Sequence, residues 1–311
     1  MKINRSLNSQ LNFDTVVTIG TFDGVHIGHQ KIIKRLVKMA KKNNLKAVVL
    51  TFFPHPRMVL QKDASIKLIN TIDEKSRLFE QLGVDLLVVK KFSKEFSRLT
   101  ALEFVRDILV NKLQIKHIII GYDHHFGRNR NANIDDLKEF GDTYNFEVIE
   151  ILAQEIDEVA VSSTKIREAL INGQLSIANK YLGYNFMLSG NVIQGQGLGK
   201  QIGYPTANLQ VREDYKLIPK NGVYVIQSNY EGQLIYGMMN IGTNPTVSEN
   251  SSQSIEIHFF NFNENIYNQS LQIEILERLR DEQKFESIEA LKDQLKKDQL
   301  DSLAYLKRHN D

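Results

Sequence analysis

The stretch Thr15–His29, TVVTIGTFDGVHIGH, leaves a chain few ways to fold. Thr15–Gly20 is an apolar, β-branched run, as expected of a strand buried in a parallel sheet. Gly24 and Gly28 punctuate a tight turn. Beyond His29, Ile32, Ile33, Leu36, Val37 and Ala40 recur at helical spacing, with Lys31, Lys34, Arg35 and Lys38 between them. A strand therefore feeds a helix through a glycine-bearing turn. The start of such a helix offers free backbone N–H groups at its positive dipole end, which suits a phosphate. His26 and His29 are three apart and face one way on a helical turn. Two imidazoles there can hold phosphates and stabilise charge that grows during transfer. Taken alone, a His-x-x-His pair is equally an ordinary polar feature of a helix start.

A chain of 311 residues is long enough for two cores, and two domains are expected. A net charge of +2 is too slight to imply a nucleic-acid or membrane partner. With no cysteine, disulfides, thiolate catalysis and cysteine-bound zinc are excluded. The segment MKINRSLNSQ lacks the apolar centre of a signal peptide, and no apolar run approaches membrane-spanning length. A cytoplasmic location is expected, as a monomer or a weak homo-oligomer.

Residues 1–150 alternate strand and helix. Strands are predicted at Lys46–Phe53, Asp85–Val89, His117–Gly121 and Phe146–Ile151. Capping boxes at Thr71-Ile-Asp-Glu74 and Thr100-Ala-Leu-Glu103 open two helices, and a third is predicted at Asp135–Tyr144. Such alternation gives a parallel sheet covered by helices, with ligands beyond the carboxyl ends of its strands. Thr51-Phe-Phe-Pro-His-Pro-Arg57 follows one strand; its prolines fix an extended loop around His55, either a stiff crossover or a binding loop. Gly121–Arg130 follows another. There Asp123 can bind a hydroxyl or amine and Arg128 or Arg130 a phosphate, or the loop is simply basic and solvated. In Val161-Ser-Ser-Thr-Lys-Ile-Arg167, Ser162–Thr164 lie at a helix start with Arg167 one turn along.

These stretches together resemble the flavin adenylyltransferases of the nucleotidyltransferase superfamily, through Gly-x-Phe-Asp-Gly-x-His-x-Gly-His, Phe-x-Pro-His-Pro and Ser-Ser-Thr-x-Ile-Arg. The resemblance implies that His26, His29 and Arg167 serve catalysis. It implies that Gly20, Phe22, Gly24, Ser163 and Thr164 join them around the ATP phosphates, and that Pro54, His55, Asp123, Phe126 and Arg130 lie near the flavin or nucleotide. The chain departs from the family at His124-His125, and at Ala132-Asn133 where Gly-Asp is usual.

From Phe186 onward the pattern changes to short alternating runs: Met187–Ile193, Gly222–Gln227, Leu234–Ile241, Ile255–Phe262 and Leu271–Leu279. Turn residues at Asn221-Gly222 and Glu231-Gly232 separate them, and a helix from about Ser287 closes the module. This predicts an antiparallel barrel. Gly195–Gly203 is dense in glycine and is neither a Walker loop nor a dinucleotide fingerprint; alone it reads equally as a flexible hairpin. In Tyr204-Pro-Thr-Ala-Asn208, a threonine hydroxyl and an asparagine carbonyl suit Mg²⁺. Glu256 and His258 share one face of an alternating strand, where a carboxylate is either a solvent-face charge or a base for a hydroxyl proton.

Gly-x-x-x-Gly-x-Pro-Thr-Ala-Asn, the later Glu-x-His and Asn240–Thr246 resemble riboflavin kinases. The resemblance implies Thr206 and Asn208 as Mg²⁺ ligands and Glu256 as catalytic base. It implies Gly197, Gly199, Lys200 and Gly203 around ATP, and Asn208 and Arg280 beside the flavin. Asn244 stands where the family has Arg, and Asn268 where Gly follows Tyr. Both motif sets occur in the order of the bacterial bifunctional riboflavin kinase/FAD synthetase family. The expectation is an α/β Rossmann-like nucleotidyltransferase domain over 1–184 and an antiparallel β-barrel kinase domain over 185–311, using Mg²⁺ and ATP on riboflavin and FMN. The rivals are a nucleotidyltransferase for another phosphorylated substrate with an accessory flavin-binding barrel, and a non-enzymatic flavin sensor.

Overall fold

Parallel pairing of buried, β-branched runs organises the first half of the chain. The computed structural model describes residues 1–7, 9–60, 66–121, 125–151, 161–195, 199, 202–243 and 253–310. The chain divides into two compact units, Met1–Ser163 and Thr164–Asp311.

In the first unit the elements run β1 (Lys2–Asn4), β2 (Thr15–Ile19), α1 (Ile27–Lys42), β3 (Lys46–Phe53), α2 (Pro56–Leu60), α3 (Ile72–Gln81) and β4 (Leu86–Lys91). Then come α4 (Ala101–Glu103), β5 (Ile115–Gly121), α5 (Ile134–Tyr144) and β6 (Glu147–Ile151). The sheet order is β1-β4-β3-β2-β5-β6, and every pairing is parallel. All five residues of β2 are buried, and its Thr15 hydroxyl is satisfied by donating to the Leu113 carbonyl at 2.7 Å. The core joins Val17, Val48, Leu50, Val88 and Ile118 to Leu109 and Leu113. On α1 the buried residues include the predicted stripe of Ile32, Ile33, Leu36, Val37 and Ala40. From β2 the chain moves to β3 and β4 on one side, then returns to place β5 and β6 on the other. The order thus reverses between β2 and β5, where open parallel sheets bind ligands.

Both capping boxes form. Thr71 Oγ1 accepts from the Glu74 N–H at 3.1 Å while the Glu74 carboxylate accepts from the Thr71 N–H at 3.0 Å; Thr100 and Glu103 repeat the exchange. Three local expectations change. The loop expected to stay extended through Arg57 turns helical at Pro56, which suits the first position of a helix. The helical run after Thr100 relaxes into π-helix over Phe104–Val110. Lys2–Asn4 adds an edge strand.

The second unit holds α6 (Ser163–Ile171, from Thr164 on), α7 (Leu175–Leu182), β7 (Phe186–Ile193), β8 (Ala207–Gln210), β9 (Gly222–Tyr230), β10 (Gln233–Thr243), β11 (Gln253–Phe259), β12 (Ser270–Arg280) and α8 (Ile288–Asn310). Six antiparallel strands close a barrel in the order β10-β11-β8-β7-β12-β9. Helix α8 packs Leu295, Tyr305 and Leu306 against Val225, Met238 and Phe260. Asn179 ties α7 to the barrel, donating to the Ile275 carbonyl at 3.0 Å and accepting from the Phe186 N–H at 2.8 Å. These helices therefore cluster with the barrel strands. The Ala207–Gln210 segment, read only as a ligand motif, is the strand that closes the barrel between β7 and β11. Glu231 and Gly232 turn between β9 and β10 with φ of 50° and 86°. Gly222 opens β9, as the Gly222–Gln227 run predicts, and a Cβ there would collide with the Arg280 carbonyl.

Thr71→Ala removes one half of a capping box at the head of α3. The expected cost is about 1 kcal/mol, read as a lower urea midpoint for the first unit.

Two candidate active sites

The turn between β2 and α1 is strained. Phe22, Gly24 and Val25 all have positive φ, of 46°, 85° and 35°, and a β-branched residue such as Val25 rarely adopts it. Groups from several elements hold it there. The buried Asp23 carboxylate accepts from the backbone N–H of Ile69, at 3.0 and 3.2 Å, and of Asn70 at 3.4 Å. Thr51 and Lys75 both donate to the Thr21 carbonyl, at 3.2 and 2.7 Å. The Ser163 hydroxyl donates to the Asp23 carbonyl at 2.8 Å. A Cβ at Gly20 would press on the Phe22 ring at 3.0 Å, and that ring packs edge-on against His29 and Phe79.

The turn delivers His26 to the N-cap of α1. Its Nδ1 accepts from the His29 N–H at 3.4 Å, which leaves any proton of the neutral ring on Nε2. The two imidazoles stack with centroids 3.6 Å apart. His29 Nδ1 is buried and has no hydrogen-bond partner among the described residues. Burial lowers the pKa of His26 to about 4, against the raising influence of Asp23. Burial, then His26 and Lys75, hold His29 well below 6.5. At neutral pH both rings are uncharged N–H donors. The positive charge of the cluster belongs to Lys75, itself lowered by burial to about 8. Sequence reading passed over Lys75, yet a signal exists: it interrupts the apolar stripe Ile72, Lys75, Phe79 at helical spacing.

In the barrel, Glu256 on β11 stands opposite Asn240 on β10 and Asn208 on β8. Directly paired residues of antiparallel strands share a face, so three polar side chains cross the barrel in a row. Ile255, Ile257 and Phe259 occupy the other face and are buried. Glu256 is half-buried, and its carboxylate makes no hydrogen bond or ion pair among the described residues. Burial raises its pKa, which strengthens it as a base. His258 Nδ1 donates to the Pro205 carbonyl at 2.9 Å, and its ring packs edge-on against Tyr204. It thereby pins the Pro-Thr-Ala-Asn segment to the strand that carries Glu256.

Glycine is required around that segment. A Cβ at Gly195 would overlap the Asn208 amide, and one at Gly199 the Tyr204 carbonyl, with Thr206 Oγ1 at 3.2 Å. The Gly199 carbonyl accepts from the N–H groups of Ile202 and Tyr204 at 3.2 and 2.8 Å. A hydroxyl and an amide oxygen in this space fit a hard cation that keeps waters and substrate phosphates.

The remaining candidates are scattered. Asp123, Gly197, Lys200, His124 and Asn244 lie outside the described residues. Pro54 is half-buried, and the His55 imidazole accepts from the Arg57 N–H at 3.2 Å. Phe126 is buried in the core against Phe104, and its backbone pairs with Ala132. Arg130 and Thr164 are exposed, as is Gly203, while Arg167 is half-buried. Arg280 forms a two-pronged pair with buried Asp298 of α8, at 2.8 and 2.7 Å. Two departures from the family pattern have local reasons. Asn133 is the N-cap of α5, and Asn268 takes φ of 64°, the left-handed region that Asn tolerates best after Gly.

The folds and sites define a chain with a histidine cluster at a helix mouth on a parallel sheet and a half-buried carboxylate on a barrel. The family model described as FAD synthetase matches residues 8–165, and that described as riboflavin kinase matches residues 182–306. A bifunctional riboflavin kinase/FMN adenylyltransferase of Buchnera aphidicola subsp. Schizaphis graminum is 40% identical over 303 residues, covering 96% of each chain. Its counterpart in Listeria monocytogenes is 37% identical over 301 residues, covering 96% of this chain and 95% of its own. A crystal structure described as a macrolide-efflux protein from Streptococcus pneumoniae superposes with a TM-score of 0.86 at 33% identity, over 99% of this chain and 98% of that one. Among the described residues of the present chain, no helix is long and apolar enough to cross a membrane. The chain belongs to the bifunctional riboflavin kinase/FMN adenylyltransferase family. A nucleotidyltransferase with a merely accessory barrel is not favoured, since the barrel matches the kinase family in its own right.

The folded state holds His26 and His29 below the 6.5 of an unfolded histidine. The unfolded chain therefore binds more protons, and stability is complete above about 6.5 and lost as pH falls toward 4. Urea unfolding of the first unit is expected to show this loss. Imidazole NMR titration is expected to find His26 protonating near pH 4.

Proposed function

We infer that the chain makes FMN from riboflavin in its barrel and FAD from FMN in its α/β unit, using ATP in both steps. The observation that carries the reading is that each compact unit holds its own polar centre: stacked neutral imidazoles at a helix mouth in one, and in the other a half-buried carboxylate with no hydrogen bond among the described residues.

In the barrel, Glu256 accepts the proton of riboflavin's 5′-hydroxyl as that oxygen bonds to the γ-phosphorus of ATP. The bond to the β-phosphate oxygen breaks, giving FMN and ADP. Thr206 and Asn208 would hold Mg²⁺, which supplies charge neutralisation on the transferred group when bound. The family motif assigns Gly197, Gly199, Lys200 and Gly203 to the ATP phosphates, and Arg280, held by its pairing with α8, to the flavin side.

In the α/β unit, a phosphate oxygen of FMN attacks the α-phosphorus of ATP, and pyrophosphate leaves with the electron pair of the broken bond. His26 and His29 donate N–H hydrogen bonds to the charge that builds there, as neutral rings do without desolvating an ion. The backbone of Gly20, Phe22 and Gly24 shapes this pocket. Ser163 joins the phosphate pocket by the family motif, which also assigns Pro54, His55, Asp123, Phe126 and Arg130 to the flavin or adenine. No covalent intermediate is needed, since positioning and charge stabilisation supply the rate. The substrates are small molecules, in keeping with a cytoplasmic enzyme acting as a monomer or a weak homo-oligomer. The functional division proposed is adenylylation over 1–184 and phosphorylation over 185–311.

His29→Ala is expected to abolish FAD formation and leave FMN formation at the wild-type rate. Glu256→Ala is expected to slow FMN formation by about 100-fold or more while supplied FMN is still adenylylated. Chromatographic separation of products after incubation with riboflavin and ATP reads both; equal loss of both activities in either variant would sink the division of labour. Thr206→Ala is expected to raise the Mg²⁺ concentration that half-saturates the kinase reaction and to leave that of adenylylation unchanged.

A further inference from the structure

Lys75 sits where packing alone would place an apolar side chain. It lies on the inward face of α3 between Ile72 and Phe79 and is 3% exposed. Burying an ammonium is costly unless a specific partner answers it. The partner here is the Thr21 carbonyl, at 2.7 Å. That carbonyl opens the turn in which Phe22 and Val25, neither of them glycine, have positive φ, a backbone that persists only when its surroundings hold it. Two residues past Thr21 is Asp23, and one helical turn into α1 is His29, whose buried Nδ1 lacks a partner among the described residues.

We propose that Lys75 is a positioning residue of the adenylyl-transfer centre: it pins the turn that carries His26 and His29 and gives that centre its fixed positive charge. The proposal rests on the adenylylation reading above. The charges that bear on it are Asp23 and His26 from the turn, His29 from α1, and on its own helix Glu74, which is committed to the Thr71 N–H. One charged group here has two effects. Its field helps hold His29 uncharged, so the imidazole stays an N–H donor, and its attraction favours the nucleotide's phosphates. Since burial sets its pKa at about 8, the charge is present at neutral pH and lost as pH rises through 8. Adenylylation kcat/KM should therefore fall on the alkaline side with that midpoint, while the kinase reaction does not share the limb.

The test uses full-length K75M and K75R chains, each assayed for FAD formation from FMN and ATP and for FMN formation from riboflavin, from neutral to strongly alkaline pH. K75M keeps the packing and removes the charge; it is expected to form FAD about 100-fold more slowly, with FMN formation at the wild-type rate. K75R carries a guanidinium that does not titrate in this range. It is expected to retain adenylylation and to lose the alkaline limb near pH 8. Wild-type adenylylation by K75M, or an unchanged limb in K75R, would overturn the proposal. A K75M chain that loses its native amide spectrum reports a packing failure, and the K75R profile then decides. Should His29→Ala still make FAD, the underlying reading fails, whatever the Lys75 variants do.

Discussion

The first unit depends on restraining a backbone that would not keep its shape unaided. A strand fully buried in a parallel sheet must turn at once into a helix, and the turn reaches left-handed φ at Phe22, Gly24 and Val25. For Phe22 and Val25, which are not glycine, this costs of order 1–3 kcal/mol each. What offsets the cost comes from outside the turn: the N–H groups of Ile69 and Asn70, the side chains of Thr51 and Lys75, and the hydroxyl of Ser163. The sheet's reversal between β2 and β5 fixes where this happens, and the cap made by His26 fixes how the imidazoles face. Neutral, stacked rings follow from the burial that the same restraint enforces.

The barrel meets its chemical demand differently. Its side chains are placed by register, not by strain: Asn240, Glu256 and Asn208 align because three antiparallel strands pair residue for residue. The opposite face is filled with Ile255, Ile257 and Phe259, so the pleat leaves the carboxylate half-buried among few polar neighbours. That environment raises its pKa, which a proton acceptor requires. Helix α8 is fastened by the Arg280–Asp298 pair and by Leu295 and Leu306, closing one side of the barrel.

Much of this was legible in the residues. Lys46–Phe53 reads as a strand and is one, with the same ends, because eight residues of mostly apolar and β-branched character permit little else. Both capping boxes form because their hydrogen bonds are local. What escaped reading depends on distant partners. β8 is too short and too polar to announce itself, and it becomes a strand only because β7 and β11 flank it. Pro56–Leu60 curls into a helix although the loop before it looks rigid and extended. For the sites, the motif residues His26, His29, Thr206, Asn208 and Glu256 stand out by type and spacing. Lys75 does not, since its importance lies in a carbonyl that the fold brings to it, that of Thr21; His258 shows in the Glu-x-His motif, but its bond to the Pro205 carbonyl does not.

The contact between His258 and Pro205 has a consequence for fidelity. Because side chains alternate along a strand, slippage of β11 by one residue would send Glu256 to the apolar face and, in the same movement, release the loop bearing Thr206. A barrel assembled in the wrong register would thus displace Glu256 and the Thr206 segment together. Errors of assembly would leave the barrel inert rather than half-equipped.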